Sequence, residues 1–321
     1  MMKRLVHIAA AVLLHLAVEA QPVPAVEENI PFLVTFGAAS EKSWGDDDFL
    51  QIFFFVVPKG TVDPVHIRVF DADLGGELDE AKGAFDGRTR FSVYGGKGAI
   101  SDPAARGTEA EGNYRSGNLL AMRDFAVDTK YDQEWYTFGP FDPNAGELMP
   151  EYGGLVFKVI CQGLSGDDGN LYRYFMSRKA TSNDPIDGGQ AFTFEYTFRM
   201  HDDPNEVSHI FPFIDEQVVS VKQSNFDWDG DGFVRIVSVA KKGDLVKASG
   251  ENEWVHSEHK ITEAEHNTSL DIRFIKRQDV AVKNNNVVFL VRNQYGELLP
   301  FHTVPIGGIP QYKPSIVVRK Q

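Results

Sequence analysis

The stretch that decides the fold class is Ala191-Phe-Thr-Phe-Glu-Tyr-Thr-Phe198. Aromatic residues occupy every second position of it, at Phe192, Phe194, Tyr196 and Phe198. A period of two is typical of a β-strand with one buried face, because successive side chains of a strand point to opposite faces. The sequence therefore predicts one strand here, with all four rings on the same buried face.

Similar short runs of β-branched and aromatic residues lie on both sides of this stretch, and clusters of Gly, Pro and Asp separate them. The clearest runs cover residues 32–36, 50–57, 66–70, 90–94, 155–160, 218–221, 233–239 and 287–291. Helical periodicity is scarce. Several short strands in each half of the chain are typical of β-sandwiches, so we predict an all-β protein.

Five pairs of short segments recur in the same order and indicate an internal duplication. The pairs are Gly45-Asp46-Asp47 with Gly166-Asp167-Asp168, His66-Ile67 with His209-Ile210, Thr108–Glu111 with Thr262–Glu265, Asp124–Val127 with Asp279–Val282, and Gly146–Pro150 with Gly296–Pro300. Two long copies are too few for a solenoid, so we predict two tandem β-sandwich domains, over residues 28–150 and 151–303. Residues 21–27 are then a linker, and residues 304–321 are a C-terminal tail.

The first 20 residues have the pattern of a secretion signal. Lys3 and Arg4 precede an almost wholly apolar run over residues 5–18, and Val18-Glu19-Ala20 ends it with compact residues at the expected cleavage site. The run is short for a membrane span. We predict cleavage after Ala20, a secreted or periplasmic protein, and no transmembrane segment in the mature chain.

The chain is acidic, with 46 Asp and Glu against 32 Lys and Arg and a formal net charge of −14. Phosphates would be repelled over most of such a surface, so nucleic acid is not an expected partner. The single cysteine, Cys161, excludes an intrachain disulfide framework and a cysteine-rich zinc module. The sequence contains neither a nucleophile elbow nor a glycine-rich phosphate loop that opens a helix.

The sharpest local motif is Asp227-Trp-Asp229-Gly-Asp231-Gly-Phe233. Carboxylates at positions 1, 3 and 5 with glycine at position 6 let a tight loop turn three hard oxygens onto one cation, and the carbonyl of Phe233 would be the fourth ligand. Position 12 is Ser238 instead of the EF-hand glutamate. The motif therefore resembles the DxDxDG calcium loops found outside EF-hands. The alternative is a solvated acidic turn.

A second acidic loop, Asp71-Ala-Asp73-Leu-Gly-Gly-Glu-Leu-Asp79, follows a predicted strand. Its spacing resembles the calcium loop of C2 domains, which are β-sandwiches. The resemblance implies that Asp71, Asp73 and Asp79 ligate calcium together with acids from an earlier loop, for which Asp46, Asp47 and Asp48 are the candidates. The usual glycine comes one residue late, at Gly83, and the second half of the chain has Ile214-Asp215-Glu216 at the corresponding place. Ordinary acids at a strand end are the alternative.

Two tryptophans lie beside these acidic loops. Trp44 directly precedes the Gly45–Asp48 loop, and Trp228 lies inside the DxDxDG motif. Exposed indoles next to a calcium site would stack against sugar rings, so we predict that both bind ligand. The alternative is that they are buried in the sandwiches, since Trp fills a core well.

Together these features predict a secreted, non-catalytic binding protein that is supported by calcium. Its partner would be an extracellular glycan, or a protein of the cell envelope or matrix. One rival is a glycan-active hydrolase, which needs two facing carboxyl groups about 5–10 Å apart. The other rival is a structural scaffold in which calcium only stiffens the domains.

Chelation of calcium should lower the melting temperature. A cation bound only by the folded chain adds about 2.7 kcal/mol of stability at a hundredfold excess over its Kd, because binding shifts the folding equilibrium. We expect the melting temperature to fall by several degrees when a chelator is added. If the melting curve in metal-free buffer does not change when calcium is added, the folded protein does not bind calcium.

Overall fold

The structure is a computed structural model that describes residues 22–107, 111–279, 281–282 and 285–314. The predicted signal peptide and the end of the predicted tail, from residue 315, lie outside the described residues. So do Thr108, Glu109 and Ala110 and also Val280, which belong to two of the matched segment pairs.

Strands dominate the described residues, where the helical segments are 3-10 turns of three or four residues. The strands are β1 Pro22–Val23, β2 Phe32–Phe36, β3 Leu50–Pro58, β4 Val65–Phe70, β5 Arg88–Gly95, β6 Asn118–Phe125, β7 Trp135–Phe141, β8 Glu147–Met149, β9 Gly154–Ser165, β10 Gly169–Ser177, β11 Gln190–Thr193, β12 Glu195–Arg199, β13 Val207–Ile210, β14 Phe213–Ile214, β15 Ser220–Phe226, β16 Gly232–Val237, β17 Lys242–Val246, β18 Trp254–Lys260, β19 Thr268–Ser269, β20 Asp271–Lys276, β21 Asn286–Asn293 and β22 Phe301–His302. The 3-10 turns are Val26–Glu28, Lys42–Trp44, Pro103–Arg106, Pro143–Ala145, Pro150–Tyr152 and Glu263–Glu265. The prediction of an all-β fold is confirmed.

The strands form antiparallel sheets of very different widths. A nine-stranded sheet has the order β18-β15-β21-β12-β2-β10-β4-β7, with β1 also paired to β10. A seven-stranded sheet has the order β22-β11-β3-β9-β5-β6, with β8 also paired to β9. A four-stranded sheet has the order β13-β20-β16-β17, and β14 pairs with β19.

The nine-stranded sheet is shared by two sandwiches. Over β10 its partner is the seven-stranded sheet, as shown by the edge-to-face contacts of Phe91 with Tyr172 at 5.1 Å and of Phe55 with Tyr174 at 5.9 Å. Over β12 and β21 its partner is the four-stranded sheet, from which Phe274 meets Phe198 at 5.2 Å. One wide sheet is thus faced by two narrower ones.

A chain of aromatic rings makes the two cores continuous. Phe53 of β3 lies 5.4 Å from Tyr196 of β12, and Tyr196 lies 5.5 Å from Phe198. Phe198 then meets Phe274, and Phe274 lies 5.3 Å from Phe289 of β21. Edge-to-face pairs of this kind add to the energy of apolar burial, so the rings connect the two sandwiches energetically.

The deciding stretch 191–198 is not one strand, and this corrects the prediction. The chain leaves the seven-stranded sheet after β11 and enters the nine-stranded sheet with β12. Phe192 and Phe194 pack around Phe54 in a separate smaller core, whereas Tyr196 and Phe198 lie in the main core. The alternation of the sequence is real, but the change of sheet at Phe194 assigns the two pairs of rings to different cores.

Side-chain hydrogen bonds hold this change of sheet in place. The Gln51 amide accepts from the backbone N–H of Thr197 at 2.7 Å and donates to the carbonyl of the same residue at 3.1 Å. The Thr193 hydroxyl donates to the Ile52 carbonyl at 2.6 Å. The backbone groups that lose a ladder partner at the crossing are therefore satisfied by side chains, as buried polar groups must be.

The strand pairing corrects the predicted domain boundary between residues 150 and 151. β9 lies between β3 and β5, and β10 lies between β2 and β4, so strands from both predicted domains alternate within each large sheet. A cut at residue 150 would divide both sheets. Neighbours in a sheet are chosen by long-range hydrogen bonds, which a comparison of sequence segments does not reveal. The duplication itself stays a prediction.

The predicted linker and tail are also part of the fold where they are described. Pro22 and Val23 pair with Phe175 and Tyr174 of β10, so residues 22–27 are not a free linker. In the tail, the backbone N–H of Ile306 donates to the Ser269 hydroxyl at 3.0 Å. The backbone N–H of Lys313 donates to the Val239 carbonyl at 2.9 Å. Residues 304–314 therefore pack against the second sandwich.

Truncation of Phe198 should destabilise both sandwiches together. Phe198→Ala removes a ring at the centre of the aromatic chain, and a buried Phe→Ala change costs about 3–5 kcal/mol. We expect calorimetry to show one unfolding transition, shifted to lower temperature as a whole. Tyr295→Ala, at a side chain that is 75% exposed, is the control and should change stability by less than about 0.5 kcal/mol. Two separate transitions, of which Phe198→Ala shifts only one, would contradict a shared core.

Candidate metal and ligand sites

The C2-like loop begins directly after β4 and contains buried carboxylates. Asp71 has a left-handed backbone with φ 58°, and its Oδ1 accepts from the Gln133 N–H at 2.7 Å. Oδ2 of Asp73 accepts from the Asp128 N–H at 3.0 Å. The second oxygens of both residues are buried, and they have no hydrogen-bond partner in the described part of the chain.

Asp79 of the same loop and Asp132 of a later segment differ in their hydrogen bonds. Both oxygens of Asp79 are engaged at 2.7 Å, by the N–H groups of Gly75 and Leu171, so Asp79 fastens the loop to β10. Asp132 lies in the segment between β6 and β7, and its Oδ1 is a third buried oxygen for which the described residues supply no partner. Sequence analysis did not select Asp132, because nothing in its local pattern connects it to a loop 60 residues earlier. We call Asp71, Asp73 and Asp132 the strand-end acid group.

The electrostatics of the strand-end acid group oppose three simultaneous negative charges. The pKa of Asp71 is raised to about 7, mainly by burial, which outweighs the lowering hydrogen bond from Gln133, and to a smaller extent by the charges of Asp73 and Asp132. Burial is also the main cause of the raised pKa of Asp73, and it raises that of Asp79 well above its ordinary value. Carboxylate oxygens are the ligands that Ca²⁺ prefers, but among the described residues Asp71, Asp73 and Asp132 do not place three oxygens within 4.8 Å of one another, so calcium here stays a prediction.

Asp46, Asp47 and Asp48 do not join Asp71, Asp73 or Asp79 in one group of oxygens within 4.8 Å among the described residues. Asp47 accepts from the indole N–H of Trp254 at 3.0 Å, on the edge strand β18. The N–H of Asp71 instead donates to the carbonyl of Glu134, just before the opposite edge strand β7. The resemblance covers local spacing and not the path of the chain, so a calcium ion shared by the two loops stays a prediction.

The Asp46–Asp48 segment nevertheless forms a compact acid group of its own. One oxygen from each of the three carboxylates lies within 4.8 Å of the others. Asp46 accepts from the N–H groups of Phe36 and Phe49, both at 2.8 Å, and Asp48 accepts from that of Leu50 at 2.9 Å. Burial raises the pKa of Asp46 to about 7, with a further contribution from the charge of Asp47.

The DxDxDG loop is tightly folded between β15 and β16. Asp227 accepts from the Asn252 N–H at 2.5 Å, and Gly230 donates to the Ser249 carbonyl at 2.8 Å. Asp227 and Asp229 both have left-handed backbones. Among the described residues, Asp227, Asp229 and Asp231 do not form a group of three oxygens within 4.8 Å. Phe233 is the second residue of β16, and its side chain is 45% exposed. Calcium in this loop stays a prediction.

Trp228 is buried, and its assignment as a ligand-binding residue is therefore wrong. Its ring meets Phe274 edge to face at 6.0 Å, in the core of the second sandwich. The Ser249 hydroxyl accepts from its backbone N–H at 2.8 Å. The tight loop directs the indole into the core. No ligand can stack on this ring, because both of its faces are buried.

Trp44, in contrast, borders a cleft of about 380 Å³. The cleft is lined by Glu41, Ser43, Trp44, Glu80, Lys82, Arg199, Asp229, Glu251, Val282 and Asn285. Lys82 Nζ lies 3.7 Å from the centre of the Trp44 ring and 3.4 Å from Glu80, which also pairs with Arg199. Trp44 and Asp229, which the sequence singled out by different motifs, thus line the same cleft. We call it the Trp44 cleft.

A third acid group was not selected from the sequence. Asp86, Asp167 and Asp168 each place one oxygen within 4.8 Å of the others, where the turn between β9 and β10 meets the residues before β5. Oδ2 of Asp168 accepts from the N–H groups of Asp86 and Gly87, at 2.8 Å and 2.7 Å. Asp167 and Asp168 belong to a landmark of the predicted duplication, and the hydrogen bonds of Asp168 join this turn to the residues before β5.

The raised pKa of Asp71 predicts that metal-free protein loses stability as the pH rises. An acid whose folded pKa is about 7, against an ordinary value of 3.8, binds more protons when folded, so stability falls between about pH 4 and pH 7. Asp71→Asn keeps an acceptor for the Gln133 N–H and removes the charge. In chelator, we expect this variant to melt above the wild type at pH 8 and to lose that advantage near pH 4.

The exposed Asp63→Asn variant is the control and should follow the wild-type pH profile. Thermal melts at several pH values measure the effect. A constant difference between Asp71→Asn and the wild type across this range would show that the Asp71 carboxyl does not titrate as its burial requires.

Comparisons with known proteins do not place the chain in a family. No family model matches it, and no curated protein matches it. Among solved structures, it is similar to that of a "putative secreted protein" from Parabacteroides distasonis, with 10% identity, coverage of 89% of this chain and 97% of that one, and a TM-score of 0.21. A likeness of that degree carries no argument about fold or function. Within the described ranges, no helix is long and apolar enough to cross a bilayer.

Proposed function

We propose that this protein is a secreted, non-catalytic binding protein that is supported by calcium and holds an extracellular glycan in the Trp44 cleft. The observation that carries the proposal is the meeting of Trp44 with Asp229 of the DxDxDG loop at one polar cleft. An aromatic ring and an acidic loop side by side match the chemistry of a sugar, which has apolar ring faces and polar hydroxyl groups.

The composition of the cleft supports a glycan over an apolar ligand. Carboxylate, guanidinium, amide and hydroxyl groups line it, and each of them can exchange hydrogen bonds with sugar hydroxyls. Its volume of about 380 Å³ lies within the range of small-molecule sites. Lys82 covers one face of the Trp44 ring, so a sugar that stacks on this face would first displace the ammonium group.

Calcium would stabilise the acidic loops that surround and support the Trp44 cleft. The strand-end acid group offers three buried oxygens that the described residues leave without hydrogen bonds, and its charges repel one another. In the DxDxDG loop, a cation would hold Asp229 at the wall of the Trp44 cleft. Binding of ligand would then depend on calcium even where no sugar hydroxyl touches the ion.

Removal of the Trp44 ring should weaken glycan binding at least tenfold. On a glycan array, we expect wild-type protein to bind a limited set of glycans in calcium and to lose them in chelator. Loss of a buried stacking contact costs several kcal/mol at a binding hot spot, so Trp44→Ala should weaken the Kd at least tenfold by calorimetry.

Tyr295→Ala, which removes an exposed ring elsewhere, is the matched control and should bind as the wild type does. Lys82→Ala should strengthen binding if the sugar stacks on the face that Lys82 covers. Hydrolysis of the arrayed glycans would instead identify the protein as an enzyme, and an array without any calcium-dependent binding would favour the scaffold.

A further inference from the structure

A second cleft lies beside Trp135, at the start of the edge strand β7. Its volume is about 450 Å³, and it separates residues 22–31 from side chains that include Trp135, Arg173 and Asn183. None of the described residues that line it is Asp or Glu, whereas four acidic residues line the Trp44 cleft. In a chain with a formal net charge of −14, such a lining singles this cleft out. We call it the Trp135 cleft.

The alternation of the strands places Arg173 and Trp135 on the outer face of the nine-stranded sheet. Tyr172 and Tyr174 lie in the main core, so Arg173, which is exposed, points to the opposite face. Arg173 is paired across to Phe70 of β4, and Phe70 is paired across to Trp135. The ring centres of Phe70 and Trp135 lie 5.4 Å apart. One cross-strand row therefore joins the guanidinium to the indole.

Arg173 carries a positive charge that the described chain does not neutralise. Its Cζ lies 4.2 Å from the centre of the Phe32 ring, and its Nε donates to the Pro31 carbonyl at 2.6 Å. Among the described residues, no acidic side chain forms an ion pair with it within 4.0 Å. Because the contact with Pro31 uses Nε, the two terminal nitrogens are left as donors, and these bind planar anions well.

Asn183 supplies a second donor to the same cleft. Its Oδ1 accepts from Arg68, a side chain that is only 5% exposed and that also donates to the Thr137 hydroxyl at 3.2 Å. The amide NH₂ of Asn183, which can only donate, is therefore the part that remains for a ligand. The guanidinium of Arg68 also lies 4.9 Å from the centre of the Trp135 ring. Arg68 thus holds both the amide and the indole in position.

We propose that the Trp135 cleft binds an acidic saccharide. Arg173 and Asn183 would hold its carboxylate or sulfate group, and its sugar ring would lie against Trp135. A site with two donors, an aromatic ring and no acid in its described lining suits an anion that has an apolar face. The choice of a saccharide as the ligand rests on the proposed function, whereas the preference for an anion does not.

The two clefts lie along one row, which favours a chain of sugars over a small anion. Arg199 lines the Trp44 cleft and is paired across to Phe32, and Phe32 contacts Arg173. From Arg173 the row continues through Phe70 to Trp135. It crosses five neighbouring strands, in the order β12-β2-β10-β4-β7, and is about 19 Å long at a strand spacing of about 4.8 Å. An extended acidic glycan can therefore reach both clefts.

Calorimetric titration of the full chain with three oligosaccharides of equal length tests the proposal. One is built from a uronic acid, one from a sulfated sugar and one from a neutral sugar. We expect wild-type protein to bind at least one acidic oligosaccharide at least tenfold more tightly than the neutral one. Which acidic oligosaccharide is preferred identifies the anion. The preference should decrease as salt is added, because salt screens an exposed guanidinium.

Arg173→Gln should remove this preference and leave the affinity for the neutral oligosaccharide unchanged. Lys59→Gln removes one exposed positive charge elsewhere and is the matched control, so it should keep the preference. Arg173→Lys keeps the charge without the planar fork, so partial affinity is expected, and melting curves show whether each variant folds.

Equal affinity of wild-type protein for acidic and neutral oligosaccharides would overturn the proposal, and so would a preference that survives in folded Arg173→Gln. Tight binding of an acidic peptide without binding of acidic saccharides would overturn the choice of ligand. If Trp44→Ala changes no affinity while Arg173→Gln removes the preference, the Trp44 cleft is wrong and the Trp135 cleft stands.

Discussion

The position of β2 in the middle of the nine-stranded sheet is the constraint on which the rest of the structure depends. β2 pairs with β10 on one side and with β12 on the other, so a single strand near the N-terminus joins the ladders of both sandwiches. Leu33 is paired across to Tyr172 on one side and to Phe198 on the other. Because every backbone group of such a central strand needs a partner, neither sandwich can pair its sheet fully without the other.

This arrangement also determines where the loop after β2 must run. The chain leaves the nine-stranded sheet at Phe36 and enters the seven-stranded sheet at Leu50, and the segment between them crosses the outer face of β12 and β21. Asp46 organises the crossing by accepting from the backbone at both of its ends, at Phe36 and Phe49. The acidic loop is thereby fixed between β2 and β3, and Trp44 is held at the cleft.

Two groups of buried aspartates lie where strands of this frame end. The strand-end acid group lies where β4 ends, and the Asp46–Asp48 group lies in the loop between β2 and β3. Their pKa values are raised mainly by burial, so each group is costly in a metal-free protein at neutral pH. Repulsion of this kind is tolerated in folded proteins where a cation or a proton offsets it, which connects the electrostatics to the proposed calcium dependence.

The sequence by itself determined the all-β class and the acidic loops, because both depend on near neighbours. Alternation of aromatic residues indicates strands, and closely spaced aspartates such as Asp71 and Asp73 stay together however the chain folds. The tertiary structure alone decided which segments pair, because long-range hydrogen bonds and not local pattern choose sheet neighbours. It therefore split residues 191–198 between two cores and buried Trp228. It also brought Asp132 close enough to Asp71 for their charges to interact, although the two residues lie far apart in the sequence.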